Sequence, residues 1–283
     1  MPDVCAAHLD ADERRHRFNV LGVGVSAIDM PATLRMIGAW IASGDRQYVC
    51  ITGVNGIMVA QKDQGLRETY NAAGMVTPDG MPLVWIGRLI GRAIDRVYGP
   101  DVLLAACEQS IAMGWRHYFY GGSAGVPELL ARKLQERYPG LHVVGTYSPP
   151  FRALTPDEEA EVLGRINDAG ADIVWVGIGT PKQERWMGAM RSRLHAPVLV
   201  GIGAGFDFHA GLKRQAPRWM QRAGLEWFFR LLQEPTRLWH RYLVYNPLFL
   251  WGILLQALSL RRHELDYPAG FSTNVDGARG GDR

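Results

Sequence analysis

ADIVWVGIGTPKQERWM, running from Ala171 to Met187, decides how this chain is read. Asp172 to Ile178 predicts a strand whose apolar run, Ile173 to Val176, faces nonpolar surroundings on both sides. That pattern belongs to a parallel sheet covered by helices on each face. Gly177 and Gly179 permit a tight turn, and Thr180-Pro181 reads as an N-cap followed by the first helical position. Lys182, Gln183 and Glu184 then occupy a first helical turn at the carboxyl end of a strand. There, free N–H groups and the helix dipole favour an anion, and α/β sheets place their ligands. The same triplet would also suit an ordinary surface helix.

Outward from this stretch the pattern repeats. Downstream, Val198 to Val200 is a strand ending in Gly201-Ile-Gly-Ala-Gly205. Upstream, His117 to Tyr120 and Leu141 to Thr146 are strands, separated by helices at 126–138 and 156–169, the latter begun by Thr155. Gln47 to Thr52 and Met75 to Pro78 are two more strands, with a helix opening at Asn55. Asp29 caps a helix entered through Pro31, and Asp101 is placed to cap a helix from Val102 to Met113. Phe18 to Val25 reads as the first strand. Strands alternating with helices imply right-handed βαβ units: an α/β fold, a Rossmann-like, mainly parallel sheet with helices on both faces.

The chain has 283 residues, enough to bury a large core, and 47% hydrophobic with 21% charged residues is an ordinary globular balance. A formal net charge of +3 is too small to argue for nucleic acid. Cys5, Cys50 and Cys107 are scattered without metal-ligand spacing, which fits a reducing cytosol. The polar opening MPDVCAAHLDADERRHRF has no apolar core of a signal peptide.

After Phe208 the character changes. Between Lys213 and Arg241 seven cations face two carboxylates, a local +5, interleaved with Trp219, Trp227, Phe228, Phe229 and Trp239. Val244 to Leu260 is almost wholly apolar. A helix begun at Pro247 would reach only about 21 Å, short of a ~30 Å hydrocarbon core, so an interfacial or buried helix fits better than a span. The expected organisation is a polar arm (1–17), a catalytic core (18–211), a basic and apolar membrane-associating C-terminal appendage (212–262) and a polar, disordered tail (263–283).

Several groups of residues are candidates for chemistry. Glycine-ended strands at Gly121-Gly122, Gly177 to Gly179 and Gly201 to Gly205 should align at one sheet edge and would suit a nucleotide diphosphate. Gly22-x-Gly24-x-x-Ala27 matches a dinucleotide fingerprint, although the next helix starts late for it. Asp79, at a strand end beside Gly80 and Pro82, is either a turn residue or a base able to take a proton from a hydroxyl. Asp10-x-Asp12 resembles a metal-binding carboxylate pair but lies in the polar arm. Arg218 with Arg222, and Arg230 with Arg237 and Arg241, fall on shared helix faces, either solvated or directed at phosphate.

Taken in order, Asp79-Gly-Met-Pro-x-x-Trp85, Arg96-x-x-Gly99-x-Asp101, Tyr120-Gly-Gly122 and Gly177-x-Gly-Thr-Pro-Lys-Gln-Glu184 form a specific set. Gly205-Phe-Asp207-x-x-Ala-Gly211, Arg214-x-Ala-Pro217-x-Trp219 and Gly224-Leu-Glu-Trp227-x-x-Arg230-x-x-x-Glu234-Pro235 continue it. Together, from Phe18 to Tyr242, the chain resembles the WecG/TagA/CpsF glycosyltransferases (glycosyltransferase family 26). The spacing Thr52-Gly-Val-Asn55 departs from the family's Thr-x-Asn, with Gly53 at the usual threonine.

The resemblance implies an inverting enzyme that needs no metal or cofactor. It would move a hexose or N-acetylhexosamine from a UDP-sugar to a polyprenyl-diphosphate-linked sugar in bacterial surface-glycan synthesis. Attachment to the cytoplasmic face of the inner membrane is implied too. Carried over, Asp79 is the general base, with Asn55 and Gln183 as polar catalytic groups. Arg96, Asp101, Arg214, Arg218, Arg230 and Arg237 would bind substrate or phosphate. Tyr147 and Asp207 would hold the nucleotide beside Gly121, Gly122, Gly177 and Gly179. Two rival readings are an NAD-dependent nucleotide-sugar oxidoreductase or epimerase, through Gly22 to Ala27, and a non-catalytic membrane scaffold. A homo-oligomer is left open.

Overall fold

The computed structural model describes residues 16–265, so Asp10, Asp12 and nearly all of the expected arm and tail lie outside the described residues. Six strands form one parallel sheet: β3 (Gln47–Thr52), β4 (Met75–Pro78), β5 (Arg116–Gly121), β6 (His142–Tyr147), β7 (Ile173–Gly177) and β8 (Val198–Gly201), in the order β4-β3-β8-β7-β5-β6. β7 and β8 are central. In β7, Ile173 and Trp175 enter the core on one face while Val174 and Val176 enter the core on the other, each fully buried. A fully buried side chain of this size contributes roughly 1.5–3 kcal/mol, which is why the double-sided apolar run specifies a central strand.

The helices fill both faces, and several begin where the caps predict. The Asp29 carboxylate accepts from the Ala32 N–H at 2.8 Å to start the helix Met30–Ser43. Thr155 and Glu158 form a reciprocal capping box for the helix Pro156–Asp168. Other starts differ from expectation. The helix Gly99–Met113 begins before Asp101, which sits in its first turn and pairs with Arg218. The helix Lys182–Met190 begins after Pro181, and the Thr180 hydroxyl donates to the Glu184 carboxylate at 2.9 Å instead of capping a backbone N–H.

The expected first strand is a hairpin outside the main sheet. β1 (Arg17–Val20) and β2 (Val23–Ser26) pair antiparallel around Leu21 and Gly22, both with left-handed φ of 51° and 84°. Two such residues make the tight turn that matches strand twist. Gly22-x-Gly24 therefore opens no strand-to-helix phosphate loop, which removes the feature on which the NAD reading stood. The hairpin is fastened by buried polar groups: the Asn71 amide accepts from the Gly24 N–H and donates to Gly22 O, both at 2.9 Å, and Ser26 accepts from the Val76 N–H of β4. Arg17, expected in the arm, is buried and donates to the carbonyls of Asn71 and Ala73.

The C-terminal helices return to this hairpin. Short helices Arg218–Arg222, Glu226–Gln233 and Pro235–Trp239 lead through a π-helical turn, His240–Val244, into the helix Tyr245–Ala257. Pro247 falls inside that helix and does not begin it. Its missing N–H disturbs the hydrogen-bond ladder just past the π turn. Phe249 is buried in the core, Gln256 bonds the backbone of Asn19 and Leu21 at 2.9 and 2.8 Å, and the His263 carbonyl accepts from Asn19. His263 thus packs where a disordered tail was expected to begin. Among the described residues no helix is long and apolar enough to cross a membrane.

One buried relay makes stability depend on pH. Trp175 Nε1–H donates to His117 Nδ1 at 2.9 Å, which leaves the ring proton on Nε2, 2.8 Å from the Ser110 hydroxyl. Burial lowers the His117 pKa to about 4. The folded value lies below the unfolded ~6.5, so the stabilisation is complete above pH ~6.5 and is lost as the pH falls toward 4. Denaturant titrations across that window should lose up to about 3 kcal/mol from this group, and His117→Phe should remove its share of the slope.

Candidate active site

Glycine is required where the central strands end. Gly121, at φ 134°, closes β5 against β7, and a Cβ there would meet the Gly177 carbonyl carbon at 2.5 Å. A Cβ on Gly177 would meet the Phe206 ring at 2.8 Å. Next to this contact Gly122, Gly177 and Gly179 line an open cleft of about 730 Å³, a size typical of small-molecule sites. The cleft lies at the carboxyl edge of the sheet, where parallel α/β proteins bind ligands.

The cleft gathers Asp79, Gln183, Gly122, Gly177, Gly179, Asp207, Arg230 and Arg237 from the predicted set, together with Arg241 and Lys213. Asn55, Gly121, Tyr147, Arg96, Asp101, Arg214 and Arg218 are not in its walls. Asn55 stands in the helix Val54–Ala60, and it is Thr52 and Gly53 that reach the cleft. Tyr147 stacks on Tyr120, which stacks in turn on Trp186 at 4.2 Å, and those two rings do line the cleft. Arg218 holds Asp101 in a two-pronged ion pair at 2.6 and 3.1 Å.

Asp79 follows β4 and is half-buried at the cleft wall. Its N–H donates to Thr52 O at 2.9 Å, and its Oδ1 accepts from the Gly99 N–H at 3.2 Å, at the start of the helix Gly99–Met113. Burial raises its pKa, Glu226 adds to the rise, and Arg96, the Gly99 N–H and Arg230 oppose it. Arg96 acts from behind this loop: its Nε donates to the Asp79 carbonyl and its Nη2 pairs with Glu226.

The opposite wall is ordered by Gln183. Its Oε1 accepts from the Gly179 N–H at 3.2 Å and its Nε2 donates to Glu184 at 3.1 Å, which assigns the two ends of the amide. Glu184 is completely buried, and burial raises its pKa despite the bonds from Thr180 and Gln183. Arg241 is set deep enough that burial lowers its pKa. Asp207 is paired with Lys213 at 3.1 Å, and Lys213 also reaches Glu234 at 3.3 Å. The buried role of Glu184 and the pairing of Glu226 were not read from the sequence. The available signal was their place in the quoted motifs, Glu184 four residues after Thr180 and Glu226 four before Arg230.

Carboxylate and cations thus share one cleft: Asp79 on one side, and Lys213, Arg230, Arg237 and Arg241 brought by the C-terminal segment. A parallel six-stranded sheet flanked by helices, with a carboxylate and a cationic cluster at its carboxyl edge, defines the α/β class of the protein. The sequence model of the glycosyl transferase WecG/TagA/CpsF family matches residues 18–263, and the chain belongs to that family. It is similar to the N-acetylglucosaminyldiphosphoundecaprenol N-acetyl-beta-D-mannosaminyltransferase of Bacillus subtilis strain 168, 30% identical over 185 residues. That match covers 65% of this chain and 70% of the relative. The protein of the same description from Bacillus spizizenii strain ATCC 23059 / NRRL B-14472 / W23 matches with the same identity and coverage.

The strand-end contact is directly testable. Gly121→Ala should destabilise the fold by about 1–3 kcal/mol, because the clash is with backbone and the φ is left-handed. A fall in the urea midpoint accompanied by weaker ligand binding in the cleft is the expected result.

Proposed function

We propose that the protein transfers a hexose or N-acetylhexosamine from a UDP-sugar to the sugar of a polyprenyl-diphosphate-linked acceptor, in the synthesis of a bacterial surface glycan. The observation that carries this reading is that Asp79 lines one cleft together with Arg230, Arg237 and Arg241. A raised pKa suits Asp79 to proton abstraction near neutral pH. In the proposed step the acceptor hydroxyl gives its proton to Asp79 while its oxygen bonds to the anomeric carbon. The bond from that carbon to the β-phosphate oxygen breaks on the opposite face, so the configuration inverts and UDP departs.

The departing diphosphate is met by the cations of the C-terminal segment. In this reading Asp207, Tyr120 and Trp186 serve the nucleoside, and Arg230, Arg237 and Arg241 serve the two diphosphates. Arg96 acts from behind Asp79, and Asp101 with Arg218 ties the C-terminal segment to the core. No metal or cofactor enters the scheme. The relatives named above act, by their descriptions, on a diphosphoundecaprenol-linked N-acetylglucosamine, which supports a lipid-diphosphate acceptor here.

Residues from about 212 are read as an appendage that rests on the membrane. One side of the helix Tyr245–Ala257 packs on the hairpin through Phe249 and Gly252. The other exposes Leu250, Trp251 and Leu254, in line with exposed Trp239, Leu243, Leu258 and Leu260. Arg261 and Arg262 follow at its end. The helix is about 20 Å long, enough to lie at the interface and too short to span. The attachment proposed is peripheral, on the cytoplasmic face where the lipid-linked acceptor is presented.

Asp79→Asn should lower kcat by about 10²–10⁴-fold in an assay with UDP-sugars and a lipid-diphosphate sugar, and should leave UDP binding intact. Near-normal turnover would remove Asp79 as the base. Because the base acts as the carboxylate, wild-type kcat/KM should fall as pH drops through the raised Asp79 pKa, above the ordinary ~3.9. Co-sedimentation with anionic phosphatidylglycerol vesicles tests attachment. Leu250→Glu with Trp251→Glu should weaken binding about tenfold or more, and added salt should weaken wild-type binding.

A further inference from the structure

Arg96 has all of its side-chain nitrogens occupied, and the partners come from two parts of the chain. Nε donates to the Asp79 carbonyl, Nη1 lies 3.5 Å from the buried Gln221 side chain, and Nη2 pairs with Glu226. The second oxygen of Glu226 accepts from the Tyr98 hydroxyl at 3.1 Å, and the Arg96 guanidinium stacks over the Tyr98 ring at 4.2 Å. Arg96 and Glu226 are each about 85% buried, at side-chain exposures of 14% and 15%. Gln221 and Glu226 belong to the C-terminal segment, while Arg96, Tyr98 and Asp79 belong to the core.

We infer that Glu226 is a positioning residue for the Asp79 base: it holds Arg96 toward itself, behind the Asp79 loop, and so keeps that guanidinium from neutralising the Asp79 carboxylate. This deepens the proposed function and rests on Asp79 being the base. An arginine so close to a carboxylate otherwise pairs with it through two parallel bonds, which lowers its basicity. Glu226 prevents this by competing for the same fork. Docking of the C-terminal segment therefore brings two things to the site: cations for the diphosphates, and the carboxylate that frees the base.

The charged and titratable groups facing Asp79 are Arg96 and Tyr98 from the segment before the helix Gly99–Met113, Glu226 and Arg230 from the helix Glu226–Gln233, and Arg241 from the π turn. Glu226 is the one carboxylate among them, and its charge works in the same direction as burial, raising the Asp79 pKa.

The test is the pH dependence of kcat/KM for full-length wild type, Glu226→Gln, Glu226→Asp and Asp79→Asn, with UDP binding as the measure of an intact core. Glu226→Gln should move the acid limb to lower pH by about half a unit to one unit and lower the plateau several-fold, as a weaker base requires. Glu226→Asp keeps the charge one methylene short. Its acid limb should move in the same direction as in Glu226→Gln but by less, with a smaller fall in plateau, and it carries the test if the glutamine variant does not fold. An acid limb unmoved in Glu226→Gln, or unmoved in Glu226→Asp where the glutamine variant does not fold, overturns the inference. Asp79→Asn separates this from failure of the base reading: if it retains the acid limb, Asp79 is not the base and both fall together. If it abolishes the limb while Glu226→Gln leaves it in place, only the role of Glu226 is lost.

Discussion

The ends of β5 and β7 touch backbone to backbone, and the rest of the molecule is arranged around that contact. A Cβ at Gly121 would come within 2.5 Å of the Gly177 backbone, and one at Gly177 within 2.8 Å of the Phe206 ring, so both strands end without a side chain. Phe206 then seals the floor beneath Gly177, and it stacks edge-on against Phe119 of the same sheet. Without side chains, these strand ends let the backbone itself line the cleft. In a parallel sheet buried on both faces, the carboxyl edge is where ligands are placed.

The cleft gets its chemistry from elements distant in sequence. Asp79 sits at the end of β4, near the sheet edge, and Gln183 follows the central β7. The cations arrive on helices that follow the last strand. Each is held by neighbours: Gly99 beside Asp79 and Arg96 behind it, Glu184 behind Gln183, and Glu234 beside Lys213. Burial of these supporting groups makes their geometry stiff, because a buried carboxylate or guanidinium that loses its partner is costly.

The C-terminal segment has two faces. One is fixed by specific polar contacts to the N-terminal hairpin, with Gln256 bonding the backbone of Leu21 and Asn19, while Gln61 of the core holds the Leu21 carbonyl. The other is a broad apolar surface edged by arginines. Leu21 illustrates the dependence: a leucine with positive φ is costly alone, and here it is buried against Gly252 and bonded on both sides of its peptide. The hairpin and the last helix therefore support each other, although more than 200 residues separate them.

The order of strands and helices was legible from local pattern, because apolar periodicity, capping residues and glycine-ended strands act over a few residues. Ile173 to Val176, Asp29 and Thr155 needed no knowledge of the fold. The glycine-ended strands and the family motifs also pointed to Asp79, Gln183, Asp207, Arg230 and Arg237, which do line the cleft. What the sequence could not decide was whatever depends on partners far along the chain. Phe18 to Val25 reads as one strand until Asn71, Gln61 and Gln256 stabilise the turn at its centre. Asp101 reads as a cap until Arg218 claims its carboxylate. Glu184 and Glu226 look like solvated charges on helices. Tertiary packing buries the first beneath Gln183 and pairs the second with Arg96, since only the folded chain brings their partners within hydrogen-bonding distance.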